Sequence, residues 1–408
     1  MSSIIEFNDL ELTLFRGADR LYRAPGYASV REGELLFGEP AVRLARIHPQ
    51  QANQQYFNRM NADPLPQPTR TAANHADLVY LHLKELAREL SGDAILAVPG
   101  TLDGEQLGVL LGICQEAGID VGGFVNNAVA AVATTAVPEK TLYVDVYLQH
   151  VLVSELSVGS EVRHGRSFEV RDCGFSSLLD GWVNLIADRF VQETRFDPLH
   201  TADSEQQLYN QVYDWVMGPH HRSEVAVEVS HGEQKRRVEV PTAQLEAKAH
   251  QRVDRFIDAL PAGAALALSA RAARLPGFSA RLSSAGYELR PLAADAVAAG
   301  CNEHMALVHT IDSELRLINR LPHDNAQTQS GSTATTQTPT HLLRDFRAVT
   351  LDDPSVSSLV KLSEGGPLIA AGSRVTVNGE SLASDRYLRL GDEITSGAET
   401  FTAIRLEG

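Results

Sequence analysis

The chain holds 408 residues, 43% of them hydrophobic and 22% charged, with a formal net charge of −16. That length accommodates two or three domains with a large core. The acidic balance excludes the basic surface that a phosphate backbone demands, so no nucleic-acid partner is expected. The three cysteines, Cys114, Cys173 and Cys301, are far apart and odd in number, which predicts neither a disulfide framework nor a cysteine metal cluster.

The opening residues, Met1 to Glu6, lack a basic region followed by an apolar stretch, so no secretory signal is read. No run approaches the ~18 apolar residues of a membrane span. A soluble protein of the reducing cytoplasm is expected. Residues 4–15 and 21–24 predict an opening strand pair. Leu78, Leu81, Leu86 and Leu90 recur at roughly helical spacing, so residues 76–90 read as a helix. Residues 94–99 are a near-continuous apolar run, the signature of a buried strand. Residues 105–117 read as a helix with Cys114 on its apolar face, and Gly122-Gly123 as a turn. A short strand at 124–127, a helix at 128–134, and a strand pair at 142–146 and 152–158 follow.

Residues 178–194 form an amphipathic helix carrying Leu179, Trp182, Leu185, Ile186 and Phe190 on one side, and 205–217 reads as another. Residues 226–240 alternate as a hairpin about His231-Gly232-Glu233. A helix at 242–260 begins at Thr242, a candidate N-cap, then a strand at 264–269 and a helix at 276–285. Residues 321–341 are rich in Gln, Thr and Ser, too poor in apolar groups to offset their ordering entropy, and predict a flexible linker. It separates a large α/β domain, 1–320, from a small β module, 342–408. In that module 374–377 and 400–406 alternate, and Asn378-Gly379 is a hairpin turn signal. No internal repeat is visible.

The order of strands and helices through 94–158 resembles the ATPase domain of the seventy-kilodalton heat-shock chaperones, in the actin-like superfamily. Leu96-Ala-Val-Pro-Gly100 with Asp103-Gly-Glu-Gln106 is similar to that family's strand, Val-Pro turn and helix start. Cys114 to Asp120 resembles its helix end, closed by glycine. Phe124 to Val132 resembles its Asn-Glu-Pro-Thr-Ala-Ala segment. Residues 168–182, Arg274-Leu-Pro276 and 295–300 resemble its second-lobe entry, the segment after its adenosine loop and its closing helix. The resemblance spans about 1–310. It implies a two-lobed actin-like ATPase fold with ribonuclease H-like subdomains.

The resemblance also implies a nucleotide cleft, and the expected contacts are altered. Where the family has Asp-x-Gly-Thr, this chain has Glu6-Phe-Asn-Asp9: Asn8 replaces the glycine, and Asp9 places a carboxylate where phosphate would lie. Where it has Asp-x-Gly-Gly-Gly-Thr, Asp145 survives, but Tyr147, Leu148 and Gln149 fill the glycine positions. Arg271 stands within the segment matching the adenosine loop, and Asn127 matches the glutamate that helps position water. The cations Arg271 and Arg274 flank this cleft and are expected to pair with Asp9 or Asp145. No residue is read as catalytic or as a metal ligand.

The end of the chain, Val375-Thr-Val-Asn-Gly-Glu-Ser-Leu382 with Leu388-Arg-Leu-Gly-Asp-Glu-Ile394, resembles the last strands of a forkhead-associated domain. The Gly-Arg and Ser-x-x-His of its phosphothreonine-binding members are not found. Candidate phosphopeptide contacts are Ser373, Arg374, Ser384 and Arg386. Among the fourteen histidines, His220-His221 is the one adjacent pair and reads as a loop, not a metal site. The expectation is a non-catalytic, chaperone-like scaffold or adaptor: a pseudo-ATPase that binds protein partners and needs no cofactor. The alternative is a chaperone-type protein that binds or hydrolyses ATP with magnesium in a rearranged pocket.

Overall fold

The apolar run becomes the strand Ala94–Val98, buried at every position. It lies parallel to a second wholly buried strand, Ser3–Glu6, with Ile4 beside Ile95 and Glu6 beside Ala97. Strands covered on both faces read as unbroken apolar runs, and these two do. The chain is described by a computed structural model over residues 2–218, 223–310, 315–323 and, with interruptions, 339–404. It divides into two compact units, Met1–Thr328 and Gln329–Gly408. The first is mixed α/β; the second is a β module.

The larger unit contains two six-stranded sheets. One runs Leu317–Ile318, Val121–Asn126, Ala94–Val98, Ser3–Glu6, Leu12–Arg16, Asp19–Ala24. The other runs Glu288–Pro291, Ala265–Leu268, Lys140–Val146, His150–Val158, Glu161–Arg171, Arg320–Pro322. Each sheet is assembled alike. Three consecutive strands form an antiparallel meander, and later strands add in parallel on the open side of the first. The likeness of the two sheets lies in their strand order and pairing, not in a repeat of the sequence. The segment 315–323 then completes both sheets in turn: Leu317–Ile318 joins one edge, and Arg320–Pro322 joins an edge of the other.

The sheets share a middle core. Ile4, Ile95 and Val125 from one sheet pack with Tyr143, Leu156 and Ala267 from the other, about the helices Asn127–Ala133 and Ala296–Glu303. Asn127–Ala133 is buried at every residue and contains only Asn, Ala and Val. Small side chains let two helix backbones approach closely, and here the contact is tight. A Cβ on Gly300 would lie 1.9 Å from the Ala130 carbonyl oxygen. On the far face of the first sheet a separate core gathers Leu78, Leu83, Leu96 and Leu110. On the far face of the second, Trp182, Phe190, Tyr213 and Phe256 form the largest cluster.

Several local expectations change. The opening strand 4–15 is two strands broken by a turn at 7–11. Gly122 and Gly123 lie inside the strand Val121–Asn126 rather than in a turn, because the Val308 carbonyl passes where a Gly123 Cβ would stand, at 2.0 Å. The strand Glu161–Arg171 was not expected at all; only Val162 in it is buried and it carries Glu, Arg and His, so no alternation marks it. Pro241, not Thr242, occupies the cap position of the helix Thr242–Asp258. Helix Gly104–Glu116 ends as expected at Gly118, φ 81°; its start, which the sequence reading did not single out as a cap, is a reciprocal capping box of Asp103 and Gln106. Cys114 is a core thiol, pushed up to about 12 by burial. Among the described residues no helix is long and apolar enough to cross a membrane.

The small unit has a six-stranded and a three-stranded sheet. Leu342, Val377, Ile394 and Phe401 lie in its core. Val375–Val377 and Glu380–Ser381 pair with Val377 opposite Glu380. The Asn378-Gly379 turn itself, most of the linker, His220-His221, and Ser373, Arg374 and Ser384 lie outside the described residues.

Replacing Gly300 by alanine forces apart the two helices of the middle core. The variant is expected to lose at least about 2 kcal/mol in urea unfolding, the scale of an overpacked core.

Candidate functional site

The first strand of each meander ends in a turn, and the two turns meet. In the first, the Asn8 side chain folds back, and its Oδ1 accepts the Leu10 N–H at 2.8 Å, a local turn that asparagine favours. Its Nδ2 donates across to Asp145 Oδ2 at 3.0 Å and to the Val146 carbonyl at 3.1 Å. Asp9 Oδ1 accepts the Leu148 N–H at 2.7 Å. Side chains of one turn thus satisfy the backbone of the other.

The second turn is filled by its own residues. Tyr147 is buried, stacked on His150 with ring centroids 4.8 Å apart and 9° between planes. Its hydroxyl accepts from Asn127 Nδ2 at 3.2 Å, while Asn127 Oδ1 is buried without a hydrogen-bond partner. Leu148 is fully buried. Gly174 packs so closely on this turn that a Cβ there would lie 2.3 Å from the His150 nitrogen.

A buried arginine closes the arrangement. The short helix Ala270–Arg274 follows the strand Ala265–Leu268, with Ser269 accepting the Ala272 N–H at its start. From it Arg271 reaches Asp145 with two donors, Nε to Oδ1 at 3.0 Å and Nη2 to Oδ2 at 2.7 Å, and reaches Glu6 with Nη2. Side-chain exposure is 6% for Arg271, 3% for Glu6 and 0% for Asp145. Two-pronged arginine–carboxylate pairing is the strongest of the charge-assisted hydrogen bonds. The Arg271–Asp145 pair is as expected from sequence. Arg274 is redirected: it donates to Glu11 at 2.6 Å, and Arg23 shares the same carboxylate. Asp9 pairs with neither arginine.

Burial sets the protonation of these groups. It pushes Glu6 up, and Arg271, shared with Asp145, only partly offsets this. Burial also acts on Glu11, but Arg274 and Arg23 outweigh it and hold that carboxyl low. Asp9 has no cation to balance its burial and is pushed up to about 7, with the Leu148 N–H and the Asn58 side chain opposing. Asn58 stays outside good hydrogen-bond geometry, so Asp9 Oδ2 is buried and unpartnered. Burial lowers His150.

Asp9 borders a cleft of about 490 Å³. Gln149, half-buried, lines it as well. One wall is the short helix Tyr56–Arg59, which no sequence pattern marked. That wall is anchored from behind by His82, whose ring is wholly buried: Nδ1 meets the Tyr56 hydroxyl at 2.7 Å and Nε2 the Tyr22 hydroxyl at 2.9 Å. The sequence reading missed Glu6 and Glu11 as ion-pair partners: Arg271 and Arg274 lie more than 250 residues from them, and the nearer partner of Glu11, Arg23, sits two strands on in the meander. Asn8, Asp9, Asn127, Asp145, Tyr147 and Arg271, separated in sequence, are brought together; Gln149 stands at the cleft beside them. Among the described residues no group of three or more His, Cys, Asp or Glu is arranged to hold a metal ion.

Replacing Arg271 by alanine leaves two buried carboxylates unpaired. The expected loss is roughly 3–5 kcal/mol at pH 7 by denaturant unfolding, shrinking as the pH falls and the carboxyls protonate. Asp9→Asn is expected to act in the opposite direction. Burial pushes Asp9 up to about 7 from the ordinary aspartate value of 3.8, so Asp9 supports the fold fully only below about pH 4, and that support is lost as pH rises through 7. Asparagine can still accept the Leu148 N–H. At pH 8 the variant should therefore gain up to about 4 kcal/mol over the parent, and the gain should vanish at pH 4.

Comparison with models of known protein families and with curated protein sequences finds no match.

Proposed function

We propose that this chain is a non-catalytic, chaperone-like scaffold or adaptor built on the two-lobed actin-like ATPase fold, with a nucleotide site that its own side chains have filled. The duplicated meander-plus-parallel sheet, with a shared helical core between the copies, supports the ribonuclease H-like part of that reading. The observation that carries the functional part is Arg271. Its guanidinium sits on Asp145, the carboxylate that a magnesium ion would need, and binds Glu6 as well.

The residues present do not fit a magnesium triphosphate. The turns that would wrap phosphate hold each other instead, through Asn8 to Asp145 and Asp9 to Leu148. The Tyr147 ring occupies a position where glycine would let a phosphate approach. Asp9 adds an uncompensated negative charge in a site shielded from water, which repels a polyphosphate. Asn127, a neutral amide, cannot take a proton from water, and its Nδ2 is engaged by Tyr147. What remains is a rigid α/β body and a β module, with surfaces for protein partners. The module's likeness to a forkhead-associated domain is part of the same proposal, as a binding or stabilising element.

Melting curves with and without magnesium-ATP test this directly. A ligand at 100 times its dissociation constant stabilises a fold by about 2.7 kcal/mol. No shift and no phosphate release are expected. A magnesium-dependent rise in Tm, or turnover abolished by Asp145→Ala, would establish the ATP-using alternative.

A further inference from the structure

The cleft beside the closed turns has the opposite chemistry to a phosphate site. Asp9, 4% exposed, lines it, with Oδ1 held by the Leu148 N–H and Oδ2 buried near the Asn58 side chain but without a hydrogen bond of good geometry. A buried charge left half-satisfied is costly to a fold and is stabilised by a counter-charge that arrives from outside. Phe57, packed edge-to-face on Phe7 at 6.2 Å, and the stacked Tyr147–His150 pair present aromatic surface to the same cleft. Glu169 lies at its border, 3.9 Å from His150 Nε2. Arginines also line the cleft: Arg59 from the short helix, and Arg171, whose side chain is 83% exposed and 3.9 Å from Glu169.

We propose that this cleft binds a guanidinium group, presented as an arginine side chain by a protein partner, with Asp9 as its buried anchor. A carboxylate short of a donor, in a cleft that Glu169 and Asp172 also line, is a combination that takes a cation carrying several N–H donors. Two-pronged donors suit a guanidinium better than an ammonium. At about 490 Å³ the cleft lies within the size range of ligand sites, roughly 300–1,000 Å³. The amides of Gln55, Asn58, Gln106 and Gln149 also line it and match the polar groups of a peptide backbone. That favours a peptide over a free guanidine as the source. The proposal rests on the reading of a site emptied of nucleotide.

Isothermal titration of the full chain at pH 8 and low salt decides it, with three probes: acetyl-argininamide, the neutral acetyl-citrullinamide, and a capped Ala-Arg-Ala-Ala peptide. Both arginine probes are expected to bind, the peptide at least tenfold tighter, and the citrulline probe not at all. Equal affinity of the two arginine probes assigns the site to small guanidines and overturns the protein partner. Asp9→Asn should weaken binding at least tenfold, and Glu169→Gln, at the cleft border, about two- to fivefold. Citrulline binding as well as arginine overturns the proposal, as does unchanged affinity in Asp9→Asn. Should Asp9→Asn fail to fold, unchanged affinity in Glu169→Gln overturns it instead. If neither arginine probe nor magnesium-ATP binds, this proposal falls alone. If magnesium-ATP binds and arginine does not, the reading of the emptied site falls with it.

Discussion

The ion cluster of Glu6, Arg271 and Asp145 holds the centre of the larger unit. Its members come from the first strand of one sheet, the first strand of the other, and the helix after a parallel strand of the second. Three fully or nearly fully buried charges do not add stability cheaply, because each has lost its water. The cluster instead penalises every arrangement that separates the strand ends, since any such separation strands a charge. Asn8 and Asp9 reinforce the same constraint with neutral and charged hydrogen bonds. Relative motion of the two sheets at this end therefore breaks several buried polar contacts together.

The charges of this network are matched in number: Glu6, Glu11 and Asp145 meet Arg23, Arg271 and Arg274. Arg271 is shared between two carboxylates, and burial accordingly pushes Glu6 up rather than down. Asp9 stands outside these pairs, with the Leu148 N–H as its hydrogen-bond donor. A charged ligand in the cleft meets that carboxylate at close range and low dielectric, where Coulomb terms are large.

The legible parts of the sequence were those written in local patterns. The buried run at 94–98, the amphipathic stripe through Trp182 and the hairpin at Gly232 each depend on residues within a turn or two of one another. The membership of the site was legible in part: Asn8, Asp9, Asn127, Asp145, Tyr147 and Arg271 were singled out and lie together. Its wiring was not, since Arg271 lies 126 residues from Asp145 and 265 from Glu6. The strand Glu161–Arg171 escaped because it fully buries only Val162. The helix Tyr56–Arg59 escaped because one turn has no period to detect. The duplicated topology escaped because hydrogen-bonding order, unlike side-chain identity, leaves no repeat in the letters.

Asp9 sets the site's remaining chemistry. The fold uses only one of its oxygens, as an acceptor for Leu148, and asparagine supplies the same acceptor without a charge. Packing gives no reason for the second oxygen to be ionisable, buried and unpartnered in the wall of a cleft. Every other buried carboxylate of the cluster has an arginine. A group that opposes the fold's own economy belongs to what the cleft meets, as functional sites in general depart from what stability alone selects. A triphosphate is the ligand such a carboxylate repels most strongly, and a guanidinium is one whose arrival supplies both the missing charge and the missing hydrogen bonds.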